Sequence, residues 1–411
     1  MFNMTLNSEL VVSNRSNMSA DYFYTWTKQD DAFHFEMESC FDHTLKLKDG
    51  SEKIDLTSLS YQAGFGYSCT PIIDKMSAQL QSLSIASAKA DFSLKSRVTK
   101  MLLNELGRQG KIFYTTSGSE SVENALKMAR EQRKVLTVCA RNVSYHGATL
   151  ASLSVTGDWR NKAHKTLDDW TLRIPEPKDD PTGCETRKVI ENYGPEKIAA
   201  IILETVTGGN GAFAGSEDYW NTIQNICDEH GIYLILDEVI CGFYRTGIAF
   251  GFHKYPFLKP DFITLSKQIT GGYIPFGAVY VSKSRAEFYD QNVLACGLTS
   301  YAHPLGLAAL EGVFEVIDNN DFKSQLSINI KTLKTFCDKV STLQNVREVR
   351  VHGLLAAIDV SFDPSQKEIF EKGTYLLTGP QRIMLAPALN MSTRDLESGL
   401  KIVEDYLMEN I

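Results

Sequence analysis

Two adjacent acidic residues, Asp237 and Glu238, directly follow an apolar run at 232–236. A short apolar run after a glycine is typical of a parallel strand buried on both faces. Acidic side chains at the carboxyl end of such a strand lie where open α/β sheets bind their ligands. Asp237 could there hold a metal, act as a base or pair with a ring nitrogen, but no ligand cluster with metal spacing accompanies it. We therefore expect a cationic group beside Asp237 and no metal.

A lysine at the end of a second apolar run could supply nucleophilic chemistry at the same place. Lys267 closes "DFITLSK" and precedes the turn "QITGG". A lysine amine in such a position can form a Schiff base with a carbonyl compound, although lysines at strand ends are also common on protein surfaces. About one βαβ unit separates Lys267 from Asp237, so we expect both side chains at one edge of one sheet.

The segment "TTSGSESVENALKMAR" (115–130) predicts a strand, a turn of small residues and a helix. Ser117 followed by Glu120 is a capping-box pattern, so the helix is expected to begin near Gly118. Free N–H groups and the helix dipole at such a turn favour a phosphate beside Ser117, Gly118 and Ser119. An ordinary capped turn would have the same pattern. Neither a Walker lysine nor G-x-G-x-x-G is present, which disfavours a nucleoside triphosphate or a dinucleotide.

An aromatic residue follows another predicted strand. "SYHGAT" places Tyr145 and His146 after the run 134–140, where Tyr145 could stack on a flat ring or simply pack in a loop. A phosphate cup, a stacking aromatic, a carboxylate for a ring nitrogen and a lysine for an imine together describe a site for pyridoxal 5′-phosphate. In such a site Asp237 keeps the ring nitrogen protonated, and Lys267 holds the cofactor and then shuttles a proton.

The motifs resemble those of the class III, or omega, aminotransferases, a family of fold-type-I pyridoxal phosphate enzymes, over about residues 26–387. The matching segments are "TSGSESVENALKMAR", "SYHGAT", "SVTGDWR", "DEVICGFYRTG", "LSKQITGGYIPFGAV" and "GLTSYAHPLGLAAL". The resemblance implies that Lys267 is the Schiff-base residue and that Lys267 and Asp237 are catalytic. The residues it places at the cofactor are Ser117, Gly118, Ser119, Tyr145, His146, Glu204, Asp237, Val239, Lys267 and Thr299.

The resemblance also implies how some of these residues act. Tyr145 and Val239 would pack on opposite faces of the ring. Thr299 would reach the phosphate of a neighbouring subunit, which implies a homodimer with shared active sites or a dimer of such dimers. Trp26, in "YTWTKQ", and Tyr145 would line the substrate pocket.

Several departures from the family pattern concern the substrate. Members with an arginine–glutamate gate carry a second acid five residues after the glutamate equivalent to Glu204, where this chain has Gly209. The gate arginine's place falls on Leu377 or Thr378, and Arg382 lies five positions away, so a substrate-binding arginine is not identified. Further departures are Tyr244, where glycine is usual, and Gln268 in the lysine motif.

The activity that the resemblance implies is transamination. A primary amine or ω-amino acid would give its amino group to the cofactor, and a keto acid, with pyruvate favoured, would take it in a ping-pong reaction. An aminomutase, an epimerase or a decarboxylase would use the same lysine and aspartate. A binding protein without activity is disfavoured because Lys267 and Asp237 are both present.

The predicted elements alternate between strands and helices, which implies a mainly parallel sheet between helices. Strands are predicted at 111–116, 134–140, 197–205, 232–238, 261–267, 276–282 and within 346–361, after an N-terminal meander at 33–50. Helices are predicted at 71–83, 94–107, 119–134, 217–230, 304–318, 323–341 and from Thr393. The fold class is therefore α/β, with a smaller α+β domain built from both ends of the chain. The expected division is 1–60 (an arm and the meander), 61–300 (the large cofactor domain) and 301–411 (the C-terminal small domain).

Composition excludes some partners. The formal net charge of −8 argues against nucleic acid, and the apolar runs are too short to span a bilayer. No secretory signal is recognisable. The eight cysteines are scattered without a C-x-x-C pair, which fits reduced thiols better than disulfides or zinc. We expect a cytoplasmic protein.

Overall fold

The computed structural model describes residues 21–411, and of residues 165–168 the backbone only. The described residues divide into two compact units, one that ends at Glu36 and one that comprises Met37–Ile411. The described part of the first unit contains a short 3₁₀ helix (Gln29–Asp31). Trp26 lies in this unit and is 48% exposed. The N-terminal arm expected over the first 20 or so residues lies outside the described residues.

The second unit combines strands and helices along its whole length. Its strands are β1 (Met37–Phe41), β2 (Thr44–Leu47), β3 (Glu52–Asp55), β4 (Gly110–Thr115), β5 (Thr137–Arg141), β6 (Thr171–Ile174), β7 (Ile198–Glu204), β8 (Tyr233–Asp237), β9 (Phe262–Leu265), β10 (Gly277–Ser282), β11 (Val346–His352), β12 (Leu355–Val360), β13 (Thr374–Tyr375), β14 (Leu377–Gly379) and β15 (Arg382–Leu385). Its helices are α1 (Ser58–Tyr61), α2 (Thr70–Ser82), α3 (Ser93–Leu106), α4 (Gly118–Arg133), α5 (Leu150–Val155), α6 (Cys184–Tyr193), α7 (Glu217–His230), α8 (Lys283–Glu287), α9 (Pro304–Ile317), α10 (Asn320–Val340), α11 (Gln366–Glu371) and α12 (Thr393–Glu409). α1 is a single left-handed turn rather than a regular helix.

A seven-stranded sheet forms the centre of this unit, in the order β4-β10-β9-β8-β7-β5-β6. β10 runs antiparallel to both of its neighbours, and the other pairs are parallel. Every residue of β7 is buried, as expected for a strand covered by helices on both faces. The mainly parallel sheet predicted from the sequence is thus confirmed.

Both ends of the second unit contribute to smaller sheets. β1, β2 and β3 form an antiparallel meander, and β13 from the C-terminal part pairs with β3 in parallel. A third sheet has the order β11-β12-β15-β14. The α+β part built from N- and C-terminal segments is therefore confirmed as part of the fold class. The domain boundaries at residues 60 and 300 stay a prediction.

The helices begin and end close to where the sequence predicts them, because their caps are local. Ser117 and Ser216 each cap a helix N terminus through the side-chain oxygen, and Gly107 and Gly231 end α3 and α7 in the left-handed conformation. The sequence prediction omitted the strands β3, β6 and β13–β15 and the helices α1, α5, α6, α8 and α11. β6 and β13–β15 are only two to four residues long, which is too short for a recognisable period.

None of the described helices combines the length and the apolar character needed to cross a bilayer.

Candidate active site

A cavity of about 210 Å³ opens at the carboxyl edge of the central sheet. It lies between the N terminus of α4, the loop after β5, the ends of β7 and β8, and the turn after β9. The lining residues are Ser117, Gly118, Ser119, Tyr145, His146, Gly147, Glu204, Asp237, Val239, Ile240, Ser266 and Lys267. The structure thus brings together nine of the ten residues that the sequence places at the cofactor. Thr299 is exposed and does not line this cavity.

The Asp237 carboxylate is buried and held in a fixed orientation. It ends β8, next to Glu204 at the end of β7 in the same register. Oδ2 of Asp237 lies 2.7 Å from Nδ1 of His146, and Oδ1 accepts a hydrogen bond from the Val239 N–H at 3.1 Å. An ionised carboxylate only accepts, so Nδ1 of His146 carries the hydrogen in this pair. His146 therefore orients the carboxylate toward the cavity.

The sequence predicts Lys267 at the end of a strand. In the structure Lys267 lies instead in the turn that follows β9. β9 ends at Leu265, and Lys267 opens a short 3₁₀ helix (Lys267–Thr270). Its φ of 50° is left-handed, a strained conformation for a residue other than glycine. Burial lowers the pKa of the Lys267 amine, and the nearby carboxylates of Asp237 and Glu204 offset part of that effect. A lowered pKa leaves more of the amine neutral, which is the nucleophilic form.

The first turn of α4 forms an anion-binding corner. The Ser117 side chain caps the helix by accepting the Glu120 N–H at 3.2 Å. The Glu120 carboxylate accepts the N–H of Thr116 at 2.8 Å, so the reciprocal bond of the capping box reaches one residue farther back than predicted. A methyl group built on Gly118 would lie 3.2 Å from a methyl of Val239. Glycine at this position therefore avoids a tight contact between the first turn and Val239.

The loop after β5 approaches α4 closely. The Ala148 N–H donates to Oγ of Ser119 at 3.1 Å, and the Tyr145 N–H points to Glu204 Oε1 at 3.5 Å. Gly147 has a φ of 136°, and a methyl group on it would lie 2.7 Å from Oγ of Ser119. A larger residue at this position would push the loop, and Tyr145 with it, away from the helix.

Glu238 has different hydrogen-bond partners from its neighbour Asp237. Its oxygens accept the hydroxyl of Thr205 at 2.8 Å and the N–H groups of Gly251 and Phe252 at 2.8 and 3.0 Å. Burial raises the pKa of Glu238 from its ordinary 4.5 to about 7, against the opposing effect of these donors. Glu238 does not line the cavity, so we assign it a structural role.

Glu238→Gln tests this role through stability. One acceptor oxygen replaces two, so the unfolding free energy should fall by about 1–3 kcal/mol with little loss of turnover. The folded protein keeps the Glu238 proton between its ordinary pKa and about 7, whereas the unfolded chain has lost it. Wild-type stability therefore declines as the pH rises through that window, and the deficit of the variant should narrow between pH 4.5 and about pH 7. Thermal melts of both proteins across this pH range measure the difference in their stability. A difference that does not change with pH would contradict the structural role of Glu238.

Sequence reasoning missed Tyr61, a buried aromatic that packs in one cluster with Ile240. It ends α1, in which four consecutive residues have φ between 45° and 72°. The Asp55 carboxylate accepts the Leu59 N–H of this turn at 2.8 Å, and the Gln268 amide donates to the Tyr61 carbonyl at 3.1 Å. No periodic pattern predicts a left-handed turn, so Tyr61 carried no recognisable signal.

The two departures in the family motifs now have structural explanations. Gln268 supports the turn that carries Tyr61, and a methyl group on Gly64 would overlap its amide. Tyr244 donates its hydroxyl to Glu105 of α3 at 2.9 Å. Tyr244 therefore ties two elements together and does not line the cavity.

The donor set of the cavity fits pyridoxal phosphate. A helix N terminus suits the phosphate, a lysine amine of lowered pKa suits the aldehyde carbon, and a buried carboxylate suits a protonated ring nitrogen. Nε2 of His146 is buried and has no hydrogen-bond partner among the described residues. No group of three or more histidine, cysteine or acidic side chains in the described part of the chain could hold a metal ion.

Comparisons with known proteins identify the family. The aminotransferase class-III model matches residues 26–407. The hypotaurine/taurine–pyruvate aminotransferase of Paracoccus denitrificans is 27% identical, over 78% of this chain and 75% of the relative. The diaminobutyrate–2-oxoglutarate transaminase of Halomonas elongata is 29% identical, over 86% and 81%.

Comparison with solved structures also finds aminotransferases. The taurine:2-oxoglutarate aminotransferase of Bifidobacterium kashiwanohense, in complex with pyridoxal phosphate and glutamate, has a TM-score of 0.87 and 26% identity, and the match covers 94% of this chain and 95% of that one. The aminotransferase of Vibrio fluvialis, 21% identical with a TM-score of 0.88 and coverage of 95% and 96%, shares the fold. Together with the family match over residues 26–407, these findings show that the chain belongs to the class-III aminotransferases, the pyridoxal phosphate enzymes that transfer an amino group from an amine to a keto acid.

Proposed function

We propose that this aminotransferase takes the amino group from a small primary amine or ω-amino acid and gives it to pyruvate. The observation that carries the proposal is the meeting of Lys267, Asp237 and the first turn of α4 around one cavity. The choice of donor is supported by two relatives whose names specify taurine, and the choice of pyruvate by the one whose name specifies it. Gly209, where gated members carry an acid, also favours this branch.

In the proposed site each group of residues has its own task. The N–H groups of Gly118 and Ser119, with the Ser117 cap, bind the phosphate, because the first helical N–H groups have no partner within the helix. Tyr145 and Val239 cover the two faces of the ring.

Two further residues hold the carboxylate edge of the site. His146 binds Asp237 at 2.7 Å. The Glu204 carboxylate accepts the Gly208 N–H at 2.8 Å, and burial raises the pKa of Glu204. Through its hydrogen bond with Gly208, Glu204 fixes the start of the loop after β7 beside the cofactor.

Catalysis is assigned to Lys267 and Asp237. Bound pyridoxal phosphate supplies an electron-accepting ring that stabilises negative charge on the substrate carbon. Asp237 holds a proton on the ring nitrogen, which strengthens that effect. The Lys267 amine would hold the cofactor and, once free, would move the proton from the substrate carbon. Burial lowers the pKa of this amine, which favours its neutral, basic form.

The proposed assembly is a homodimer, or a dimer of dimers, in which Thr299 reaches the partner subunit's phosphate. Trp26 is proposed for the substrate pocket on its sequence motif. A cytoplasmic location is supported by eight free cysteines, which fit a reducing compartment.

Absorbance spectroscopy of the cofactor-loaded protein tests the function. Donors such as taurine, β-alanine, 4-aminobutyrate, a diamine and 1-phenylethylamine should each be added in turn. Transamination is expected to remove the near-visible band of the lysine-bound cofactor with at least one donor, and pyruvate should restore it. A shift of the spectrum without lasting loss of the band would favour a mutase or an epimerase. Absence of the band from the loaded protein would overturn the assignment of Lys267.

Gly118→Ala tests the phosphate corner. The added methyl group would press on Val239 and Ser266 at 3.2–3.4 Å. Such overpacking is expected to weaken cofactor binding by about 1–2 kcal/mol, or roughly 5- to 30-fold in Kd. Fluorescence titration of the cofactor-free protein measures this. Gly379→Ala is the matched control, because a methyl group there meets nothing within 4 Å, and equal losses in both variants would contradict the assignment.

A further inference from the structure

Three charged side chains of the third sheet hold the loop between β7 and α7. The Asp359 carboxylate, on β12, accepts Nε and Nη2 of Arg382 at 2.5 and 3.1 Å. It also accepts Nη2 of Arg350, on β11, at 2.6 Å. Both arginines reach the loop as well. Arg382 donates to the Asn210 carbonyl at 3.1 Å, and Arg350 donates to the Gly211 carbonyl at 2.6 Å. We call Arg350, Asp359 and Arg382 the clamp.

The clamp is held together by charge. Burial favours a raised pKa of the Asp359 carboxyl, but the hydrogen bonds from Arg382 and Arg350 outweigh burial and lower that pKa. The carboxylate is therefore ionised at neutral pH, and hydrogen bonds between two charged groups are the stronger kind. Both arginines are thus kept in one orientation, with their remaining donors toward the loop.

Phe213 adds an aromatic contact between the loop and the clamp. The guanidinium carbon of Arg350 lies 4.0 Å from the ring centre of Phe213, a distance at which a cation is attracted to the ring face. The Phe213 N–H donates to the Thr207 hydroxyl at 2.8 Å, and the Phe213 carbonyl accepts the Thr207 N–H at 2.8 Å. The clamp therefore holds the loop through a residue that also joins its two ends.

The backbone of the loop depends on this support. Ala212 has a φ of 55°, a left-handed conformation that is unfavourable for a residue other than glycine. Gly211 has a φ of 112°, and a methyl group on it would lie 2.7 Å from the guanidinium carbon of Arg382. Glycine at this position therefore lets the guanidinium lie against the backbone. Without the clamp we expect the loop to relax into another conformation.

The opposite side of the loop lies next to the active site. Ala212 packs in one buried cluster with Tyr61 and Ile240, and Ile240 lines the cavity. A methyl group on Gly209 would lie 3.8 Å from the Tyr61 hydroxyl. The loop and Tyr61 therefore face each other beside the cavity, and the position of the loop sets the width of the gap between them.

We propose that the clamp limits the size of the donors that the enzyme accepts, by holding the loop against Tyr61. Its members are positioning residues, because they act through the loop and do not line the cavity. The proposal rests on the proposed function, since it gives the physical basis on which the same site selects small donors. β-Alanine fits while the loop is held, whereas 1-phenylethylamine requires the loop to move.

Hydrogen exchange of the holoenzyme tests the clamp itself. The N–H groups of Thr207 and Gly211 donate to carbonyls within the loop, so their exchange reports its opening. In Asp359→Asn and Arg382→Gln this exchange should be faster by about 10-fold or more, the loss expected for a hydrogen bond to a charged group. Exchange in α12 should stay unchanged, which distinguishes local release from general destabilisation.

Arg347→Gln is the matched control for both measurements. Arg347 lies on β11 like Arg350, but it donates to the Gln381 side chain at 2.7 Å rather than to the loop. Exchange of the loop in this variant should equal that of the wild type. Loop exchange that is unchanged in Asp359→Asn and Arg382→Gln would overturn the proposal.

Half-reactions followed by cofactor absorbance test the effect on substrates. The ratio of kcat/KM for 1-phenylethylamine to that for β-alanine should rise by about fivefold or more in Asp359→Asn and Arg382→Gln. Arg382→Lys keeps a cation beside Asp359 and should recover part of the change, and Arg347→Gln should leave the ratio within about twofold. Gly209→Ala should lower the ratio, because the added methyl group fills part of the gap beside Tyr61.

A binding measurement separates this inference from the proposed function. Propanoate and 3-phenylpropanoate differ in size and carry no amine, so calorimetry with the holoenzyme reports their binding without turnover. In Asp359→Asn the Kd ratio should shift toward the larger acid by about fivefold or more, even if no donor is active. Faster loop exchange without any change in these ratios would overturn the proposal, and so would a rise of the donor ratio in Gly209→Ala.

Discussion

Replacement of Lys267 by alanine is expected to lower kcat by at least about 10⁴-fold, because one amine both binds the cofactor and moves the proton. The near-visible band of the loaded protein should disappear with it. The fold should survive, since the removed side chain ends in a cavity rather than in the packed core. Steady-state kinetics and absorbance spectra of the two proteins measure the effect.

A matched control and a chemical test make this expectation specific. Lys283→Ala removes an amine that is 66% exposed, and it should leave both the spectrum and kcat unchanged. Borohydride reduction of the wild-type holoenzyme, followed by peptide mass spectrometry, should find the cofactor attached to Lys267. Attachment to another lysine would contradict the assignment. A small added amine should restore part of the proton transfer in Lys267→Ala.

Asp237→Asn is the second change with a large expected effect, a fall in kcat of about 10²–10⁴-fold. The amide has nearly the same shape as the carboxylate but no charge, so it cannot keep a proton on the ring nitrogen. Glu238→Gln is the matched control, since that acid is adjacent in sequence yet binds Thr205, Gly251 and Phe252 instead. The two variants together separate a chemical carboxylate from a structural one.

A cofactor analogue shows whether Asp237 acts through the ring nitrogen. Pyridoxal phosphate with carbon in place of that nitrogen should slow the wild-type enzyme to a similar degree, and it should slow Asp237→Asn little further. Such non-additivity is expected when two changes remove the same interaction. Additive losses would mean that Asp237 acts elsewhere, for example by positioning His146 alone.

Much of the site could be predicted because its residues lie next to local signals. Asp237 follows an apolar run, Ser117 and Gly118 stand at a helix start, and Tyr145 and His146 follow another predicted strand. In a parallel sheet such strand ends must meet at one edge, so spacing along the chain already implied a common cavity. The prediction for Lys267 was wrong only in the backbone conformation, because a strained turn gives no periodic signal in the sequence.

Other features depend on contacts between distant parts of the chain. The roles of Arg382 and Gln268 depend on Asp359, Asn210 and Tyr61, which are far away in sequence. No local pattern states which distant groups an arginine or a glutamine side chain will bind. Likewise, only the hydrogen bonds of Glu238 distinguish it from Asp237.

The sequence by itself determined the longer helices and most of the strands, the sheet edge that carries the chemistry, and the family. These follow from periodicity, caps and short motifs, which act over a few residues. The tertiary structure decided the antiparallel direction of β10, the left-handed turn that places Tyr61, and the partners of each arginine. Those features are set by hydrogen bonds and packing across long separations in the chain, where the free energy of one arrangement over another has no local signature.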